Sequence, residues 1–230
     1  MRGFAHVDTW VFDLDNTLYP ASCRLFDQID VKMGEFVSRL LDVSYAEAKH
    51  RQKQLFYKYG TTLRGLMVEH GVTPDGFLDY VHDIDHTPVP KNEALDAALH
   101  ALPGRKLVFT NGTVAHAEKV MARIGITHHF GDIFDIVHSD FIPKPEMEPY
   151  RKFVAATGID PERAAMFEDI ARNLEAPHAL GMTTVLVVSP ENRDAQHLNA
   201  ATGGSGEHIH HVTDDLAEFL GGLVAARQKT

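Results

Sequence analysis

The sequence predicts an α/β fold: a doubly wound, mostly parallel sheet into which an α-helical domain is inserted. Three observations point there. Short apolar runs of strand length recur at Trp10–Phe12, Lys106–Thr110, Ile133–Val137, Ala164–Phe167 and Thr183–Val188. Helical patterns separate the later runs, and such alternation is the mark of βαβ units with helices on both faces of a parallel sheet. Residues 21–100 break the rhythm, because no strand-like run occurs among them.

The first strand runs into DLDNTLYP, where two aspartates stand one residue apart. Phe26–Leu41, Tyr45–Tyr59, Thr62–His70 and Pro74–His82 then read as four helices, with Gly60, Gly71 and Pro74 marking turns. Residues 21–90 are therefore expected to form a helical cap, and residues 1–20 with 91–230 the core. Thr113–Ile124, Glu146–Thr157 and Ile170–Leu180 read as helices that stop at Gly125, Gly158 and Gly181, since glycine readily takes the left-handed turn that closes a helix. Glu191–Glu207 holds the glycine-rich ATGGSGE and reads as a mobile loop. His210–Val212 suggests a short edge strand and Asp214–Arg227 a terminal helix. Gly203, Gly204 and Gly206 do not make a dinucleotide fingerprint, which follows a strand and opens a helix near a chain start.

Bulk composition narrows the function. The chain has 230 residues, 44% of them hydrophobic, enough for a packed core. Its net charge of −10 argues against a nucleic-acid polymer or an anionic membrane as partner. One cysteine, Cys23, excludes an internal disulfide and suits a reducing compartment. The opening MRGFAHVDTW has no long apolar run, and no stretch approaches the roughly 20 residues of a membrane span. A cytoplasmic protein acting on a small molecule is expected; a monomer and a homodimer fit equally.

Polar residues gather where the strands end: Asp13 and Asp15 after the first, Thr110 and Asn111 after the second, Glu168 and Asp169 after the fourth. Ligands of open α/β sheets bind outside this edge. Lys144, in Pro143–Lys144–Pro145, begins another loop expected to open there. Four carboxylates in one crevice repel one another unless a divalent cation joins them, and an all-oxygen donor set points to Mg2+. Magnesium keeps some of its waters and accepts a phosphate oxygen readily, so the cluster suggests phosphoryl chemistry on a small phosphate ester.

DLDNT at 13–17, FTNGT at 109–113, PKPE at 143–146 and FEDIARNL at 167–174 occur in this order. Together they resemble the motifs of the haloacid dehalogenase-like phosphohydrolases, over roughly residues 8–190. The resemblance implies a Rossmann-like core with the cap between the first two motifs, and it implies roles. Asp13 would be the nucleophile that forms an aspartyl-phosphate. Asp15 would protonate the leaving oxygen and then activate water, while its backbone carbonyl contacts the metal. Thr110 and the backbone N–H groups of Asn111 and Gly112 would hold phosphate oxygens. Lys144 would offset charge on nucleophile and phosphoryl group. Asp13, Asp15, Glu168 and Asp169 would make the Mg2+ site, and Asn173, one turn further on, would orient a ligand.

Within that family, DLDNTLYP and the cap segment YGTTLRGLMVEH at 59–70 look like the pyrimidine 5'-nucleotidase branch, which implies a nucleoside 5'-monophosphate such as UMP or CMP. Arg64, Phe56, Tyr57 and Tyr59 are the cap residues expected near sugar or base, the arginine by forking onto an oxygen and the rings by stacking. A phosphoglycolate or sugar-phosphate phosphatase and a phosphomutase share the same catalytic set. A dehalogenase on this scaffold needs no metal and typically lacks the second aspartate, so Asp15 and the Glu168–Asp169 pair speak against it. A phospho-accepting signalling receiver is much shorter and has no helical insert. The HIHH run at 208–211 reads as a surface tract, and His128–His129 as part of a connection without a role.

Overall fold

In the computed structural model, which describes residues 3–189 and 206–227, six strands form one sheet of order β3-β2-β1-β4-β5-β6 with every neighbouring pair parallel. The strands are β1 (Thr9–Phe12), β2 (Arg105–Phe109), β3 (Asp132–Phe134), β4 (Ala164–Glu168), β5 (Thr183–Val187) and β6 (His211–Thr213). Strand order reverses between β1 and β4, which run parallel, and the crevice that binds ligands in such sheets opens beside that point.

Nine α-helices accompany the sheet among the described residues. α1 (Leu25–Leu41), α2 (Tyr45–Tyr59), α3 (Thr62–His70) and α4 (Pro74–Val81) form the insert. α5 (Glu93–Ala101), α6 (Val114–Ile124), α7 (Met147–Thr157), α8 (Glu175–Ala179) and α9 (Leu216–Arg227) cover the sheet.

Strand alternation divides the core in two. Trp10 and Phe12 face one side with Val108, Phe167 and Val185, beneath α5, α6 and α9. Val11 faces the other with Leu107, Phe109 and Met166, beneath α7 and α8. Side chains two apart along a strand share a face, so both layers follow from the apolar runs. The insert has its own cluster, built on Ile29, Val37, Leu55, Leu66, Phe77 and Val81, which meets Ile136 of the sheet domain. Gly104, at φ +105°, turns the chain into β2; a Cβ there would lie 2.1 Å from the Asp8 carbonyl oxygen, so glycine is required.

The structure departs from the sequence reading in four places. The third strand stops at Phe134 rather than Val137, because Asp135 captures the N–H groups of Val137 and His138 and that of Val114 on α6. The helix expected over Ile170–Leu180 is a 3-10 turn, Ala171–Leu174, followed by the short α8. Residues 93–101, given no element by the sequence reading, form α5, capped by Asn92 Oδ1 accepting from the Leu95 N–H. The edge strand lies one residue later than expected, pairing in parallel with β5 through His211–Thr213. The loop expected over Glu191–Glu207 lies, as far as residue 205, outside the described residues. No helix among the described residues is long and apolar enough to cross a membrane.

Candidate active site

β1 delivers Asp13 to the switch point with its backbone already held, the Asp13 N–H donating to Phe167 O at 2.9 Å. Beyond it Asn16 adopts φ +61°, a left-handed conformation that asparagine tolerates better than most residues. The chain turns there, and both aspartates stay on the same edge.

Lys144 reaches the same point from the connection between β3 and α7. Its ammonium is 2% exposed as a residue and donates to Asp13 Oδ1 at 2.6 Å, Glu168 Oε1 at 2.8 Å and Phe109 O at 3.0 Å. Burial works to lower the Lys144 pKa, but the two carboxylates overcome it and hold the group well above its ordinary value. Asn111 fixes the loop that carries it: its Oδ1 accepts the Lys144 N–H at 2.9 Å. Glu168 is fully engaged as well, because Oε1 also accepts from Asn173 Nδ2 at 2.7 Å and Oε2 accepts the Ile170 N–H at 2.7 Å.

The carboxylates outnumber this one ammonium. Burial raises Asp13 to about 7, with Glu168 and Asp15 adding to the shift and Lys144 opposing it. Burial, and next the charge of Glu168, raises Asp169 well above the carboxylate range. Both shifts come first from burial, and the neighbouring carboxylates add to them. Oxygens of Asp13, Glu168 and Asp169 lie within 4.8 Å of one another, a donor set suited to a hard divalent cation. Glu168 is also held by Lys144, Asn173 and Ile170, and Asp13 by Lys144 and Thr17, so the protein fixes the geometry in which these carboxylates would meet an ion.

Asp15 is arranged differently. Its Oδ1 accepts from Tyr19 Oη at 2.7 Å and lies 3.0 Å from His116 Nε2. Burial would raise the Asp15 pKa; the His116 contact outweighs it and holds the carboxyl below its usual range. The His116 side chain is fully buried, stacks on His82 with ring centroids 4.6 Å apart, and sits 3.5 Å from His86 Nε2. Thr110 is buried, and its Oγ1 accepts the Gly112 N–H at 2.9 Å. A Cβ on Gly112 would stand 3.3 Å from both Thr110 Oγ1 and His116, so glycine keeps this backbone close to the site.

A cavity of about 400 Å³ joins these groups to the insert. Asp13, Asp15, Thr110, Asn111, Gly112, Lys144, Glu168 and Asp169 line its base. Phe26, Ile29, Met33, Phe56, Phe77 and Leu78 of the helical insert supply an apolar wall. Of the four cap residues singled out from the sequence, Phe56 and Tyr57 line the cavity, and Arg64 and Tyr59 do not. Tyr59 turns away to donate to Glu69 at 2.8 Å. Arg64 lies in the first turn of α3, where its N–H donates to the capping Thr61 Oγ1.

The arginine that does line the cavity is Arg172, in the 3-10 turn after β4, with its guanidinium 5.3 Å from the centre of the Phe56 ring. Sequence reasoning missed Arg172, His82 and His116. Only His116 left a local signal, a histidine in the first turn of the helix that follows the Thr110–Gly112 loop. Asn173, expected to orient a ligand, lines the cavity and donates to Glu168 Oε1. In the HIHH run, His210 Nδ1 accepts the Thr184 N–H at 3.0 Å, tying the chain before β6 to β5.

The family model for haloacid dehalogenase-like hydrolases matches residues 7–181, three quarters of the chain, a span that holds Asp13, Asp15, Thr110, Lys144, Glu168 and Asp169. The chain belongs to the haloacid dehalogenase-like hydrolases. Solved structures share this fold along nearly their whole length. A phosphatase of this family from Thermococcus onnurineus superposes with a TM-score of 0.63 at 16% identity, covering 94% of this chain and 98% of that one. L-2-haloacid dehalogenase from Xanthobacter autotrophicus, with chloropropionic acid covalently bound, gives 0.59 at 16% identity, with coverages of 96% and 98%. A family hydrolase from Deinococcus radiodurans with bound phosphate and sodium gives 0.54 at 21% identity, with coverages of 96% and 97%. At these identities the likeness is one of fold, and this haloacid dehalogenase-like hydrolase must be assigned its reaction from its own residues.

Proposed function

We propose that the protein is a Mg2+-dependent phosphomonoesterase that works through an aspartyl-phosphate on Asp13, with a nucleoside 5'-monophosphate as the substrate class. The observation that carries the reaction is the pairing of Asp13 with buried Lys144 beside the surplus carboxylates of Glu168 and Asp169. Mg2+, held by Asp13, Asp169 and the Asp15 carbonyl, would neutralise the carboxylates and the phosphate together.

The steps fall to the chain's own groups. Asp13 Oδ attacks phosphorus, and the ester oxygen leaves with a proton from the Asp15–His116 dyad. Asp15 then takes a proton from water, whose oxygen attacks the acyl phosphate and frees inorganic phosphate, restoring Asp13. Thr110 and the backbone N–H groups of Asn111 and Gly112 receive the phosphoryl oxygens, the Gly112 N–H giving up its bond to Thr110 Oγ1 as it does so, and Lys144 stabilises charge on both partners. Dehalogenation needs neither the Asp15 proton relay nor the metal carboxylates, so those residues favour phosphoryl transfer.

The cavity supports the substrate class. Its volume lies within the roughly 300–1,000 Å³ usual for small-molecule sites. An acidic base sits opposite an apolar wall that includes Phe26, Phe56 and Phe77, which suits a molecule with phosphate at one end and a flat ring at the other. Phe56 and Tyr57, which line the cavity, would stack on the base, and Arg172 would meet its carbonyl oxygens. Phosphate release measured across UMP, CMP, AMP, phosphoglycolate and hexose phosphates is expected to be fastest with the nucleotides. A profile dominated by phosphoglycolate contradicts the nucleotide assignment and leaves the reaction class standing.

Stability should report the cation as well. A carboxyl raised in the folded state binds protons more tightly there than in the unfolded chain. The metal-free fold is therefore favoured at low pH and loses that contribution as pH rises from about 4 to about 7 through the Asp13 titration. Mg2+ removes the repulsion that appears over this window. The rise in melting temperature on adding Mg2+ is expected to be larger at pH 8 than at pH 5; an equal rise, or none, contradicts a cation on Asp13.

A further inference from the structure

We propose that Asp96, His128 and His129 form a second cation site, for a divalent transition metal of the zinc class, remote from the catalytic cavity. Asp96 stands on α5, and the two histidines on the 3-10 turn Thr127–His129 that enters β3 from its N-terminal end, the sheet edge opposite Asp13.

Both imidazoles converge on one carboxylate oxygen. Asp96 Oδ1 lies 2.7 Å from His129 Nε2 and 3.3 Å from His128 Nε2, and the two ring centroids are 3.9 Å apart. All three donor atoms lie within 4.8 Å of one another. Tetrahedral ligands at about 2.0–2.1 Å from Zn2+ stand about 3.3 Å apart, so small side-chain shifts open the cluster to fit an ion. Two imidazoles and a carboxylate select zinc-class metals over magnesium, which prefers oxygen alone. His100 lies one helical turn beyond Asp96 on α5, with its ring centroid 6.2 Å from that of His129, and stands outside the cluster of converging donor atoms.

The frame exists before the metal. The Asn92 N–H donates to Ile124 O at 3.0 Å, joining the start of α5 to the end of α6. His129 is anchored, its side chain 7% exposed, whereas His128 at 64% is open to an incoming ion. The bound metal would clip α5 to the turn that sets the edge strand β3.

Co2+ tests this on the metal-stripped full chain, with Mg2+ in excess to occupy the acidic cavity. A strong visible d–d band of tetrahedral Co2+ is expected, saturating at one equivalent and displaced by Zn2+. Asp96→Asn and His128→Ala, which alter solvent-reached side chains, are expected to weaken binding by more than about tenfold. Zn2+ should also raise the melting temperature of the parent and of neither variant. Absence of the band, or a band of full strength in both variants, overturns the proposal.

Discussion

Replacing Asp13 with asparagine is expected to lower phosphate release by at least about a thousandfold, the scale seen when a nucleophile is removed from an otherwise intact site. The amide keeps the shape of the carboxylate and can still accept a hydrogen bond from Lys144, but it cannot carry a phosphoryl group. Stability should move the other way. Asp13 is raised to about 7 by burial and by the charges of Glu168 and Asp15, so near neutral pH its ionisation costs the metal-free fold energy. Asp13→Asn removes that cost, and its melting temperature without Mg2+ is expected to equal or exceed that of the parent. A stable variant with parental turnover would contradict covalent catalysis. An unfolded variant would contradict the electrostatic reading of the site.

The second large effect concerns Lys144. Lys144→Met keeps the length of the side chain and removes its charge, leaving Asp13 and Glu168 facing each other in a buried pocket. Breaking a buried pair in this way costs about 3–5 kcal/mol. In a chain of this size each kcal/mol moves the melting temperature by about 2–4 °C, so a fall on the order of 10 °C is expected. The loss should grow as pH rises, because the stranded carboxyls must then ionise. Adding Glu168→Gln to Lys144→Met removes one of the stranded charges and should recover much of the stability without recovering activity. Two residues in one network are expected to couple in this way. A Lys144→Met protein as stable as its parent would show that the ammonium is not the hub of the site.

The contrast between these residues and the cap shows what the sequence makes legible. Apolar runs placed β1, β2, β4 and β5 within a residue or so, because strands buried on both faces need continuous hydrophobicity. Asp13, Lys144 and Glu168 were visible because each stands in a short motif at a strand end or in a rigid loop. Features that depend on distant partners were not. β3 ends early through a side chain that reaches Val114 on another element. His116 meets Asp15 across 101 residues of chain. Arg64 and Arg172 look alike in sequence, and only the turn after β4 decides that the latter enters the cavity. α5 carries its apolar stripe, Leu95, Ala98 and Leu99, within only nine residues between the insert and β2, where the sequence reading assigned no element.

The nucleophile itself can be observed. In a single turnover quenched in acid and reduced with borohydride, an acyl phosphate on an aspartate becomes homoserine, which peptide mass spectrometry locates. Homoserine at position 13, dependent on both substrate and Mg2+, is the predicted result. Homoserine at position 15, or an unmodified Asp13 in enzyme that is releasing phosphate, would contradict it.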